Sequence, residues 1–199
     1  MRSTGFIALQ VLSSQMEFGR ISAHNSDAPI IVTLQLDADA HALLSEMRDR
    51  YFPAHINYLT AHMTLFHNLP GNRHEDILKG AAETAKDQQA FLMTASCPLK
   101  LGRGVAIRIE SESLLALRRD LARAYAPWLS GQDRQKFRPH VTVQNKVSPA
   151  EASHLFEHLK ATFAPTTVTA EGLQFWAYEK GPWRPLGALP FRSADTSAS

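Results

Sequence analysis

Ala61-His62-Met63-Thr64-Leu65 and Pro139-His140-Val141-Thr142-Val143 repeat one pattern: a histidine, an apolar residue, a threonine and a second apolar residue. With nine His among 199 residues, chance supplies roughly 0.1 copy of that pattern, so two copies together are a rare accident. Side chains two apart on a strand share a face. Each stretch therefore sends an imidazole and a hydroxyl to one side. Met63 and Leu65, or Val141 and Val143, go to the other, into a core.

The surroundings of the two stretches repeat as well. Ile30-Ile31-Val32-Thr33-Leu34-Gln35-Leu36 is a β-branched run suited to a buried strand. A helix follows, capped by Asp37 or Asp39, with Leu43, Leu44, Met47 and Tyr51 on one stripe and Pro53 as its stop. A strand over residues 59–68 carries His62. A second helix opens near Asn72 with Ile77, Leu78, Ala81 and Ala85 inward, and residues 91–97 form another strand. Leu101-Gly102-Arg103-Gly104-Val105 reads as a hairpin turn. The order then starts again: a strand over residues 105–109, a helix capped by Ser111 or Ser113 that buries Leu114, Leu117, Leu121 and Tyr125, and a strand around His140. The capping box Ser148-Pro149-Ala150-Glu151 begins a helix that runs to about Phe163, and strands over residues 167–178 and 185–191 close the chain.

These halves predict an α+β protein with a bilobal, duplicated fold: two antiparallel sheets with outer helices around a central cleft, forming one domain over residues 29–192. Residues 193–199 read as a flexible tail. The apolar run from Phe6 to Leu12 is short and holds Gln10, and Ile21-Ser22-Ala23 is a poor cleavage site. Residues 1–28 therefore read as an N-terminal appendage or linker.

Composition narrows the class. The chain is 44% hydrophobic and 20% charged, which suits a globular core and excludes disorder and coiled coils. No apolar run approaches the roughly 18 residues of a membrane-spanning helix. Cys97 is the only cysteine, so no intramolecular disulfide and no Cys-rich zinc site can form, and a cytoplasmic location is expected. Lys plus Arg number 21 against 19 Asp plus Glu, a net charge of +2. That permits an anionic substrate but lacks the dense charge of a dedicated nucleic-acid binder. No protein partner is indicated, and a monomer is expected.

Two imidazoles that face each other, each beside a hydroxyl, suit phosphodiester transfer. One serves as base toward the nucleophile, the other as acid toward the leaving oxygen, and the hydroxyls donate to the non-bridging oxygens. On these motifs the chain resembles the two-histidine (2H) phosphoesterase superfamily, with its 2′-5′ RNA ligase-like and cyclic phosphodiesterase members, from about Pro29 to Phe191. The resemblance implies a metal-independent 2′,3′-cyclic phosphodiesterase acting on RNA or nucleotide cyclic phosphates to give 2′-phosphates, with no cofactor. It implies His62 as the general acid, His140 as the base that activates water, and Thr64 and Thr142 as the phosphate-binding hydroxyls. Two other readings stay open: a non-catalytic RNA or nucleotide-phosphate binder using the same cleft, and a metallohydrolase using His62, His140 and a third imidazole.

Other residues invite lesser readings. Arg138 falls on the His140 face by period, Phe66 on the His62 face, and Tyr178 shares a late strand face with Trp176, so Arg138, Phe66 and Tyr178 are possible substrate contacts. Arg134, Lys136 and Arg138 alternate ahead of His140 as a basic edge. Arg118, Arg119 and Arg123 read as the wet face of a helix, and so do His154 and His158. His67 and His74 read as surface histidines.

Overall fold

The computed structural model describes residues 27–193. Most of the expectations for residues 1–28 and 193–199 therefore fall outside it. Its elements are β1 (Ile30–Leu36), α1 (Ala38–Tyr51), β2 (Met63–Leu69), α2 (His74–Ala85), β3 (Phe91–Lys100), β4 (Val105–Glu110), α3 (Glu112–Ala124), β5 (His140–Gln144), α4 (Pro149–Thr162), β6 (Thr166–Tyr178) and β7 (Trp183–Pro190). The helix starts are set locally. Asp37 accepts from Ala40 N, Ser111 from Leu114 N, and Ser148 with Glu151 closes a full capping box.

All strand pairs in this α+β fold are antiparallel, and they form one curled sheet. This corrects the expectation of two sheets. The order is β2-β1-β6-β3-β4-β5, with β7 also on β6. The cause is the 13-residue β6: one edge pairs with β1 from Ala170 to Ala177, while the other pairs first with β3 and then with β7. Exchanging β1 with β4, β2 with β5 and β3 with β6 turns the six-strand order into its own reverse. The third strand of each half thus lies in the portion of sheet built by the other half. The curl brings the two edge strands, β2 and β5, to within 8 Å between Cα atoms.

One continuous core runs through both halves, from Val32, Leu34 and Met63 to Ile107, Leu114, Val141 and Leu173. Leu43, expected on the α1 stripe, is exposed, whereas Leu44 is buried as expected and Ala40 and Arg48 are buried beside it. The hairpin turn between β3 and β4 uses Gly102 at φ +68. Gly104 has a different reason: a Cβ there would overlap the Gln144 carbonyl oxygen and stand 2.7 Å from Asn145 Cα, both backbone atoms. Gly104→Ala is expected to cost about 2 to 3 kcal/mol, measured by denaturant unfolding, because β4 and β5 must separate to admit the methyl. Gly131→Ala, which meets nothing within 4 Å, is the control, expected within about 0.5 kcal/mol of wild type.

Candidate active site

His62 immediately precedes β2 and His140 opens β5, so both imidazoles stand where the adjoining edge strands begin. Each makes the same bond. His62 Nδ1 donates to the Thr60 carbonyl at 2.8 Å, and His140 Nδ1 donates to the Arg138 carbonyl at 2.7 Å. A carbonyl only accepts, so in the neutral ring the proton sits on Nδ1 and the Nε2 lone pair is left open. Thr64 and Thr142 follow two residues later, half-buried, and neither hydroxyl has a partner among the described residues. Across the ladders Thr64 faces Thr33, Thr142 faces Ala106 and His140 faces Arg108.

The His62 ring is packed against Trp183, centroids 4.6 Å apart and tilted by 55°, and Trp183 lies 6.3 Å from Trp176. Trp176 is fixed in turn by donating from Nε1 to Thr33 Oγ1 at 2.9 Å. This burial pushes the His62 pKa down to about 4; the Thr60 carbonyl opposes it, while Arg48, His67 and His140 add to it. In the resting protein near neutrality, the His62 imidazole is uncharged. A cavity of about 450 Å³ opens beside it, walled by Trp176 and Trp183, with polar atoms from Gln35, Gln174 and Glu171. Glu171 reaches it because it is the extra residue of β6 where Gln35 pairs with Gly172 and Leu36 with Ala170.

Both motif strands break their alternation at the same place. Val32 pairs with Phe66 and Thr33 with Thr64, leaving Leu65 as an extra residue; Val105 pairs with Gln144 and Ala106 with Thr142, leaving Val143. Each bulge lies three residues after its histidine and turns the next side chain inward. Phe66 is consequently in the core at 0% exposure, which corrects its expected role as a substrate contact. Gln144, its counterpart, is buried too.

Two buried arginines tie the halves together across these bulges. Arg118 of α3 donates from Nε to the Leu65 carbonyl at 2.7 Å and from Nη2 to the Asp133 carbonyl at 2.8 Å, and its guanidinium lies 3.7 Å from the Phe66 ring centroid. Arg48 of α1 donates to the Thr142 carbonyl at 2.9 Å, and its Nε to Asn57 Oδ1 and the Leu59 carbonyl just ahead of His62. Arg118 thus leaves the wet face expected of it. The signal was in its spacing: 114, 117, 118, 121 and 125 form one inward stripe, as do 44, 48 and 51 for Arg48. Asp133, which no motif pointed to, accepts from His67 N, Asn68 N and Ser130 Oγ and so covers the free edge of β2. Arg119 and Arg123 are exposed on Asp120, and His154 and His158 are exposed on α4.

Arg138 is exposed and contributes its carbonyl to His140, while Tyr178, 44% exposed, pairs with Trp183 across β6 and β7. Arg134, Lys136 and Arg138 are all exposed on the segment before β5, which begins only at His140. Among the described residues, no group of three His, Cys, Asp or Glu is placed to hold a metal, and no helix is long and apolar enough to cross a membrane.

Residues 36–182 match the sequence model of the 2′-5′ RNA ligase superfamily. Curated proteins give no match. Among solved structures, a phosphoesterase superimposes with TM-score 0.59 at 17% identity, covering 83% of this chain and 99% of that one. E. coli LigT complexed with 3′-AMP gives 0.58 at 17%, covering 83% and 99%, and the Thermus thermophilus protein TT0787 gives 0.58 at 18%, covering 83% and 98%. At these identities the likeness establishes the fold.

Proposed function

Because the chain belongs to the 2′-5′ RNA ligase superfamily of two-histidine phosphoesterases, we propose that it hydrolyses 2′,3′-cyclic phosphates of RNA or nucleotides to 2′-phosphates. One observation carries this reading. Each imidazole is held through Nδ1 by the carbonyl two residues back, so that Nε2 is free, and an unpartnered threonine hydroxyl follows on the same strand. The solved complex of E. coli LigT with 3′-AMP supports a nucleotide ligand for this fold.

In the proposed reaction His140 Nε2 takes a proton from water as the oxygen attacks phosphorus. The bond from phosphorus to the 3′ oxygen breaks, and His62 Nε2 delivers a proton to that oxygen, leaving a 3′ hydroxyl and a 2′-phosphate. Thr64 and Thr142 donate to the non-bridging oxygens, whose charge grows in the transition state. A phosphodiester anion at Nε2 restores to His62 the proton affinity that burial removes, so Nε2 takes up a proton from solvent as the substrate binds and holds it for the leaving oxygen. The nucleoside lies in the cavity walled by Trp176 and Trp183, where an aromatic face can stack on a base.

Whichever imidazole is acid and whichever base, the limbs of the kcat/KM profile belong to the free protein's pair. The acid limb is expected near pH 4, set by His62. An acid limb at pH 6 or above would contradict the burial of His62 as its cause.

The direct assay is turnover of 2′,3′-cyclic nucleotides and short RNAs ending in a cyclic phosphate, in excess chelator. Formation of the 2′-phosphate is expected. Tight binding of these ligands without turnover would replace the enzyme by a binding protein, and loss of activity with chelator would point to a metallohydrolase.

A further inference from the structure

Two cavities lie in corresponding places of the two halves and differ in chemistry, one with His62 in its wall and the other reaching to Pro139, next to His140. The cavity beside His62 lies between the end of β1, the start of α1 and the segment leading into β2. A second, of about 550 Å³, lies between the end of β4, the start of α3 and the segment leading into β5. The first is lined by two indoles, two amides, the imidazoles of His41 and His62, the Thr60 hydroxyl and one carboxylate, without a lysine or arginine. The second is lined by Arg108, Lys136 and Arg138 against the carboxylates Glu110 and Glu112.

Arg108 is the direct cross-strand partner of His140, which sets their Cβ atoms ~5 Å apart on one face. On the other side that place, one step past the Leu34–Met63 pair, belongs to the uncharged Gln35. Arg108 meets Glu110 only at 3.8 Å, with both side chains about half exposed, a pairing that an incoming anion displaces at little cost. Lys136 and Arg138 have no carboxylate partner among the described residues. Three cations, two of them unpaired, line this cavity and outnumber its two carboxylates, whereas no lysine or arginine lines the other, so an anion is favoured on the His140 side.

We propose that the cavity against β4 binds a second phosphate of the substrate, the backbone phosphate one nucleotide before the terminal cyclic phosphate. The protein then acts on the ends of RNA strands in preference to mononucleotides. This rests on the phosphoesterase reading and adds a direction to it: the terminal nucleoside lies against Trp183, and the strand leaves past His140 over Arg108, Lys136 and Arg138.

The test compares a 2′,3′-cyclic mononucleotide with a dinucleotide ending in the same cyclic nucleotide. Wild type is expected to favour the dinucleotide by roughly tenfold or more in kcat/KM. Arg108→Gln and Lys136→Gln, both exposed positions, are each expected to lower kcat/KM several-fold more for the dinucleotide than for the mononucleotide. Equal rates on both substrates, or equal losses in the variants, would overturn the proposal. If wild type turns over neither substrate, the phosphoesterase reading fails by itself, and binding of a fluorescent single-stranded trinucleotide then decides. Binding whose salt slope falls by about 0.7 for each cation removed supports the site, and no binding, or an unchanged slope, rejects it.

Discussion

Replacing His62 or His140 with Ala is expected to lower kcat for cyclic-phosphate opening by about a thousandfold, with the fold intact. A positioned acid or base contributes typically 10² to 10⁴ in rate, and here each histidine supplies one of the two. Each ring bonds only to its own segment, at the carbonyl two residues back, so its removal leaves the sheet's hydrogen bonds in place. The double variant is expected to be little worse than either single one, since acid and base act on the same transition state. The leaving group separates the roles. With a nitrophenyl ester, whose leaving oxygen needs no proton, His62→Ala is expected to regain most of its rate while His140→Ala does not. The opposite rescue would exchange acid and base, and no loss in either variant on any substrate would remove both histidines from the chemistry.

The readable part of this protein was periodic. The caps at Asp37, Ser111 and Ser148 and the stripes of α2 and α3 depend on neighbours a turn away, so the sequence carries them directly. The two motifs were readable for the same reason, each being a local alternation. What escaped depends on contacts far apart in the chain. The bulges at Leu65 and Val143 interrupt a period of two that no neighbouring residue breaks. The Leu65 bulge exposes a backbone carbonyl that is satisfied 53 residues away by Arg118. Strict alternation therefore puts Phe66 on the wrong face, and the burial of Arg118 follows only from its distant acceptors, since a buried cation needs them. A single sheet replaced two because β6 is long enough for both halves, a matter of partners that its own sequence does not name. Trp183 and Arg108 stand beside the histidines through strand pairing alone, the first on a hairpin, the second across a ladder.

The largest effect on stability is expected where β2 is held to the loop of the other half. Arg118→Ala is expected to cost about 4 kcal/mol, since it leaves the Leu65 and Asp133 carbonyls without donors and uncovers the Phe66 ring. In a domain of this size that lowers Tm by about 10 °C. Arg118→Met fills most of the space but supplies no donor, so a cost of more than about 2 kcal/mol is expected to persist; recovery to wild-type stability would mean that packing, not the two hydrogen bonds, holds the strand. Asp133 gives the same clamp a pH signature. Burial raises its proton affinity, but the hydrogen bonds from His67, Ser130 and Asn68 prevail and hold its pKa at about 2, below the 3.8 of an unfolded aspartate. Its contribution, about 2 kcal/mol, is therefore complete above pH 4 and lost as pH falls toward 2. His62 acts over a higher window with the opposite cause: the unfolded chain takes up a proton near pH 6.5 and the folded one only near 4, so stability also declines between those values. Acid unfolding of the wild type is expected in two successive losses, and Asp133→Ala, destabilised by about 3 kcal/mol at neutrality, is expected to lack the lower one. If the variant keeps the wild-type decline between pH 4 and 2, the carboxylate is not what closes the edge of β2.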